Sequence, residues 1–234
     1  MRTALVVTAH PDDVDFGAAG TVAVWTAAGV DVSYCVVTSG EASGDRHRDA
    51  AEMVRIRQAE QRAAAAQVGV SEVAFLGYPD GAVVPSLALR RDITRVIRQV
   101  RPDRVLTWSP EINWEHVATT HPDHRATGEA TFAAVFPDAR NPHAHPELLH
   151  DEGLEPWTVR ELWLTDGPAH LRNHAVDVTD TFDKKLAALH AHASQTGGND
   201  TLDEGLRRAF ADVARRFGFP EGRLAEAFQV VDTS

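Results

Sequence analysis

The chain predicts an α/β fold of Rossmann-like type, a doubly wound and mostly parallel sheet forming a single domain over residues 1–234. Three observations predict it. Short β-branched apolar runs alternate with helix-forming segments four times before residue 109; the runs are apolar throughout, as strands buried on both faces require; and two His/Asp strings follow the first and fourth runs directly.

The first strand is Ala4 to Thr8, ending at His10-Pro11. Gly17 to Ala28 reads as a helix that stops near Gly29, and Asp31 to Thr38 as the second strand, closed by the small-residue loop Ser39 to Gly44. Asp49 to Val68 is rich in Ala, Arg, Glu and Gln and has high helix propensity. The third strand, Glu72 to Leu76, precedes the turn Tyr78-Pro79-Asp80-Gly81. Leu87 to Val100 sets Leu89, Ile93, Val96, Ile97 and Val100 on one helical face, and Arg104 to Trp108 is the fourth strand. Beyond it the pattern loosens: Ser109 to Thr120 is irregular, Ala126 to Phe136 is helical, and Pro137 to Pro156 reads as a surface excursion. Glu161 to Thr165 and Ala175 to Val178 are late strands, and Asp180 to Ala191 and Leu202 to Phe217 are helices. Residues 1–136 therefore form the core with both His/Asp strings, and residues 137–234 hold the excursion, late strands and C-terminal helices.

Composition narrows the function. With 34 acidic against 23 basic residues and a net charge of −11, no basic field exists to bind nucleic acid. The single cysteine, Cys35, has no partner for an intrachain disulfide and lies in an apolar strand, where it packs as a small hydrophobe. The first apolar run, about six residues long, is too short for a secretory signal or a membrane span. No membrane partner and a cytoplasmic location are the expectations.

The chemistry resides in Ala9-His10-Pro11-Asp12-Asp13 and His121-Pro122-Asp123-His124. A lone His-Pro-Asp string is a turn, because Pro fixes φ and Asp caps a following helix. In a sheet ordered 3-2-1-4-5, however, strands one and four are neighbours where the order reverses, and ligands bind outside their carboxyl ends. The two strings then converge on one crevice and supply imidazoles and carboxylates to a metal. Three protein ligands with an open fourth position make a catalytic zinc site, although two His and one carboxylate also suit Fe2+. Asp12 is placed to take a proton from the attacking water, and His121 to donate to a developing oxyanion or a leaving amine. The rival reading is a non-catalytic Rossmann-like module that binds a sugar or nucleotide. Against it, the segment after strand one lacks G-x-G-x-x-G.

At these residues the chain resembles the PIG-L/LmbE-like family of metal-dependent N-acetylglucosaminyl deacetylases, which pair an AHPDD motif with a later HPDH motif. The resemblance extends through Gly17 to Thr21, Thr38 to Glu41, Arg57 with Glu60, Leu76-Gly77, Asp80, Val176 to Thr179, Lys185 and His192 to Gln195. It implies that His10, Asp13 and His124 bind Zn2+, with Fe2+ as the other candidate. It also implies that Asp12 is the general base, that His121 stabilises the tetrahedral intermediate, and that Asp123 orients the His121 imidazole. The implied substrate is a small N-acetylated amino-sugar compound, and the implied assembly a homo-trimer or hexamer. Some relatives carry Glu after the Asp pair; Val14-Asp15 stands here, so no role transfers for that Glu.

Outer positions keep two readings each. Arg57 either contacts substrate or pairs with Glu60 three residues on. Asp80 either contacts substrate or shapes its turn, and His192 is a substrate contact or a helix end. His143, His145 and His150 either belong to a solvated loop or touch substrate or a partner subunit.

Overall fold

The computed structural model describes residues 2–42 and 49–234; Ser43 and Gly44, the end of the predicted loop, lie outside the described residues. Strands β1 (Thr3–Thr8), β2 (Asp31–Thr38), β3 (Glu72–Tyr78) and β4 (Arg104–Trp108) alternate with helices α1 (Asp13–Gly17), α2 (Ala19–Ala27), α3 (Ala50–Gln67) and α4 (Leu87–Val100). The chain continues through α5 (Pro122–Ala133), α6 (Pro146–His150), β5 (Glu161–Thr165), β6 (His174–Asp177), α7 (Phe182–His190), α8 (Ala193–Thr196), α9 (Leu202–Arg216) and β7 (Ala225–Asp232).

The seven strands form one sheet ordered β3-β2-β1-β4-β5-β7-β6. Strands β1 to β5 pair in parallel, with Ala4 opposite both Val32 and Arg104. Strand β1 is buried on both faces because helices cover both. Val22, Trp25 and Ala64 of α2 and α3 pack on one side, with Phe228 of β7. Leu89, Ile93, Ala126 and Ala130 of α4 and α5 pack on the other. This double winding is the predicted fold, and it places the β1 and β4 carboxyl ends side by side at the reversal of strand order.

Several boundaries differ from expectation for definable reasons. The predicted helix Gly17 to Ala28 is two helices: α1 starts within the AHPDD string, and the chain breaks at Ala18, whose φ of −147° is not helical. Helix α5 starts at Pro122, four residues earlier than expected. Proline suits a first helical position, where its missing N–H is not needed, and His121 caps the end through its own ring. Strand β7 was not predicted. It runs antiparallel between β5 and β6, with Glu226 buried in it, and a buried carboxylate masks the apolar pattern that announces a strand.

The 137–156 excursion carries the short helix α6 and is pinned by Arg98, which donates to the carbonyls of Asp138, Ala139, Asn141 and Ala144. His143 and His150 are exposed, as a solvated loop requires, whereas His145 lies 3.2 Å from Asp138. Among the described residues no helix is long and apolar enough to cross a membrane.

Candidate metal centre and catalytic cleft

The chain leaves β1 at Thr8, turns through His10 and Pro11, and enters α1 at Asp13; across the switch point, β4 ends at Trp108 and α5 presents His121 to His124 from its N-terminus. The folds of these two segments bring His10, Asp13 and His124 together.

Each of the three is held from behind. Asp13 Oδ2 accepts hydrogen bonds from the N–H groups of Ala9 (3.0 Å) and His10 (2.8 Å) and from Trp108 Nε1 (3.0 Å), which leaves Oδ1 facing His124 Nε2 at 3.2 Å. His10 Nε2 lies 3.1 Å from Asp80 Oδ1 and 3.2 Å from Asp123 Oδ2, so it carries the proton and leaves Nδ1 as a lone pair. His124 Nδ1 faces the Thr119 carbonyl at 3.1 Å, leaving Nε2 free. His10 Nδ1 and His124 Nε2, two lone-pair atoms, then sit 3.2 Å apart, a separation that requires a cation or proton between them. Donor atoms about 2.0–2.1 Å from a tetrahedral ion stand about 3.3 Å from one another, so the spacing fits a metal. Trp108 stacks on His124, ring centroids 3.8 Å apart and planes 9° apart, and fixes that imidazole further.

Two sets that leave out Asp13, His10 with His121 and His124, and His10 with Asp80 and Asp123, gather donor atoms that all lie within 4.8 Å of one another. In the second, both carboxylates face the His10 nitrogen that carries the proton, the arrangement that orients a metal-binding imidazole from outside.

The electrostatics favour a cation. Burial opposes charge on His10, yet Asp13 and Asp80 overcome it and raise the imidazole to about 11. Burial likewise works against the Asp13 carboxylate, but His124 and His10 hold it far below the usual carboxylate range. His124 is raised by Asp13 against its own burial.

Asp12 occupies the rim. Its backbone has φ 85°, a left-handed conformation uncommon for a residue with a side chain and typical of sites where geometry is imposed. Burial and then the charge of Asp13 push its carboxyl up to about 7, with Arg57 opposing. Arg57 donates to Asp12 Oδ2 (3.1 Å), to the Pro11 carbonyl (2.6 Å) and to the Gly40 carbonyl (3.0 Å). His10, Asp12, Arg57, Asp80, His121 and Gln195 line an open cleft of about 210 Å³. His121 accepts the Asp123 N–H at Nδ1 (3.2 Å), so Nε2 holds the ring proton. Burial, then the neighbouring His10, lowers its pKa, which keeps it a neutral donor.

Four positions have partners that the sequence reading did not give them. Asp123 is fully buried, and its carboxylate accepts from His10, Gly81 N–H (2.7 Å) and Val83 N–H (3.2 Å); it orients His10, while only its backbone N–H touches His121. His192 is 0% exposed with Nε2 2.8 Å from Asp15, and so cannot contact substrate. Arg57 binds the Asp12 loop, and Glu60 accepts from Ser194 N–H and Oγ instead. Asp80 does more than shape its turn: it accepts the Ala42 N–H and reaches His10. Trp108 and Gln61 were not anticipated, and Gln195 only as the end of the family-like stretch His192 to Gln195. The indole N–H after a buried strand hints at Trp108; a glutamine in an Ala/Arg/Gln helix carries no signal of its own.

The PIG-L family, GlcNAc-PI de-N-acetylase, matches residues 5–135, and the chain belongs to it. Its relatives include the diacetylchitobiose deacetylase of Thermococcus kodakarensis, 30% identical over 83% of this chain and 70% of the relative. A probable N-acetyl-alpha-D-glucosaminyl L-malate deacetylase 2 of Bacillus anthracis is 31% identical over 90% of this chain and 88% of the relative. The structure of the N,N'-diacetylchitobiose deacetylase from Pyrococcus horikoshii superimposes with a TM-score of 0.89 at 29% identity, covering 99% of this chain and 84% of that one. All three are named as deacetylases, one of them as a probable one, and none favours the non-catalytic binding module.

Proposed function

We propose that the chain is a zinc-dependent N-deacetylase that removes an acetyl or other small acyl group from an amino-sugar-containing small molecule, with His10, Asp13 and His124 as metal ligands. The observation that carries this reading is the proximity of lone-pair atoms, His10 Nδ1 and Asp13 Oδ1 each 3.2 Å from His124 Nε2, with each side chain held from behind by a different partner. A bound divalent ion would polarise the amide carbonyl and acidify a water in the open position.

The chain's own groups supply the rest. Asp12 takes the proton of the attacking water as oxygen adds to the carbonyl carbon, and Arg57 keeps its carboxylate over the cleft. His121, with its proton on Nε2, donates to the oxygen where negative charge accumulates. The C–N bond then breaks, the proton held by Asp12 passes to the departing nitrogen, and the products are a carboxylic acid and an amine, which leave as carboxylate and ammonium once the acid's proton reaches the amine. A cleft of about 210 Å³ is smaller than the roughly 300–1,000 Å³ of sites that enclose a drug-sized ligand. It suits an acetamido group and one edge of a sugar, with the remainder of the substrate outside.

The test is acetate release from a panel of N-acetylated amino sugars by metal-replete protein, with metal content measured on anaerobically purified material to decide between zinc and iron. Release expected from at least one sugar should vanish in His124→Ala together with bound metal. A metal-loaded protein that releases acetate from none of them sinks the proposal.

A further inference from the structure

Asp12 is held on two sides, and only one of them faces the cleft. Behind the loop, Gln61 of α3 is 0% exposed; its Oε1 accepts the Asp12 N–H at 2.8 Å, and its Nε2 donates to Asp15 Oδ2 at 3.0 Å. Asp15 Oδ2 also faces His192 Nε2 at 2.8 Å, and both of these side chains are 0% exposed. An amide has two ends of similar shape, and the Asp12 N–H can be accepted only when the oxygen end points to it. Asp15, an acceptor when ionised, forces the Gln61 nitrogen toward itself and so turns the oxygen toward Asp12. His192 in turn holds the Asp15 carboxylate. The left-handed Asp12 backbone, costly for a residue with a side chain, is thus gripped at its N–H from a buried polar chain that never touches the cleft.

We propose that Gln61 is a positioning residue for the general base, with Asp15 imposing the sense of its amide and His192 anchoring Asp15. The inference rests on the reading of Asp12 as the base. The line from His192 through Asp15 and Gln61 to Asp12 also gives two residues without access to substrate a part in the reaction.

The experiment is a double-mutant cycle on the metal-loaded full chain. Gln61→Met keeps the length of the side chain and removes both hydrogen bonds. A misplacement of about 1 Å at a reacting group costs on the order of 100-fold, so kcat is expected to fall about 10- to 100-fold while KM and bound metal per chain stay within about twofold. In the Asp12→Asn background the same substitution should cost less than about twofold, because the group it positions has gone. Exchanging the pair, Gln61→Glu together with Asp15→Asn, restores an acceptor toward Asp12 and a donor opposite it; it should recover most of the lost kcat, and it decides the matter should Gln61→Met fail to fold. A wild-type kcat in Gln61→Met, an equal loss in both backgrounds, or an exchanged pair no better than Gln61→Met overturns the proposal. Full turnover in Asp12→Asn alone instead overturns the assignment of the base.

Discussion

The three proposed metal ligands differ in what holds them, and the difference predicts which substitutions are felt. Trp108 gives Asp13 its third donor and stacks on His124, so it touches two ligands at once. Trp108→Phe keeps an aromatic ring against His124 but removes the N–H together with one ring of the indole. Loss of such an outer partner weakens metal binding about 10- to 100-fold, which competition with a chelator would measure; unchanged affinity would show that the Asp13 oxygen is held well enough by its two backbone donors. Asp12 has a pH consequence. Its carboxyl is pushed up to about 7 by burial and by Asp13, and the base works only when deprotonated, so activity must fall as pH drops through its pKa. A divalent cation bound beside it would favour the carboxylate and put the midpoint of the acid limb at or below pH 7. In Asp12→Asn that limb should disappear from kcat/KM, with the rate about 10²- to 10⁴-fold lower; an identical limb in the variant would assign it to another group. At this scale the meeting of His10, Asp13, His124, Asp12 and His121 at one crevice was legible because both His/Asp strings follow strands that are neighbours at the switch point. Gln61 and Trp108 were not, since a buried glutamine and a solvent-facing one look alike in a string of letters, and a tryptophan ending a strand reads first as core.

Elements carry these residues, and α5 does so under a tight steric constraint. A Cβ placed on Gly128 would meet the Trp108 carbonyl oxygen at 2.3 Å, so α5 can lie this close to the end of β4 only because that position has no side chain. Helix α5 bears Asp123 and His124, and β4 ends in the Trp108 ring stacked on His124. Gly128→Ala should therefore move the whole N-terminus of α5 away from Asp13. Overpacking of this kind destabilises by about 1–3 kcal/mol, and here thermal denaturation and metal titration should both register it. A variant of lower stability with full metal affinity would mean that α5 shifts along β4 without moving His124. The sequence made β2, α4, β4 and β5 readable to the residue, because each is a clean run bounded by Gly, Pro or Asp. It misplaced the start of α5, because His121-Pro122-Asp123-His124 looks like a loop although its proline opens the helix and its first histidine caps it. It missed β7 because Glu226 interrupts the apolar strand.

That same glutamate ties the molecule together, and the strand it sits on is the last in the chain. Glu226 of β7 accepts from the N–H groups of Gly20 (3.1 Å) and Thr21 (2.7 Å) at the start of α2, where the helix dipole favours a negative charge. Its Oε1 also accepts from Lys185 of α7 at 2.7 Å, and Lys185 Nζ donates onward to the Phe16 carbonyl of α1 at 2.6 Å. Both side chains are 0% exposed, so one buried ion pair links the helix that holds Asp13 to the C-terminal strand of the sheet. The parallel half of the sheet was readable from local runs, but this junction joins residues up to 206 positions apart and is visible only once the chain has folded. Removing one partner of a buried pair leaves the other charged and uncompensated, at a cost of about 3–5 kcal/mol, whereas neutralising both costs much less. Lys185→Met should accordingly lose about 3–5 kcal/mol in urea denaturation, and Lys185→Met with Glu226→Gln should recover part of that loss. Because Phe16 lies three residues past Asp13, the single variant should also bind metal more weakly than the double. Equal stabilities for the two variants would mean that Glu226 acts through the α2 N–H groups alone, with Lys185 only filling the space beside it.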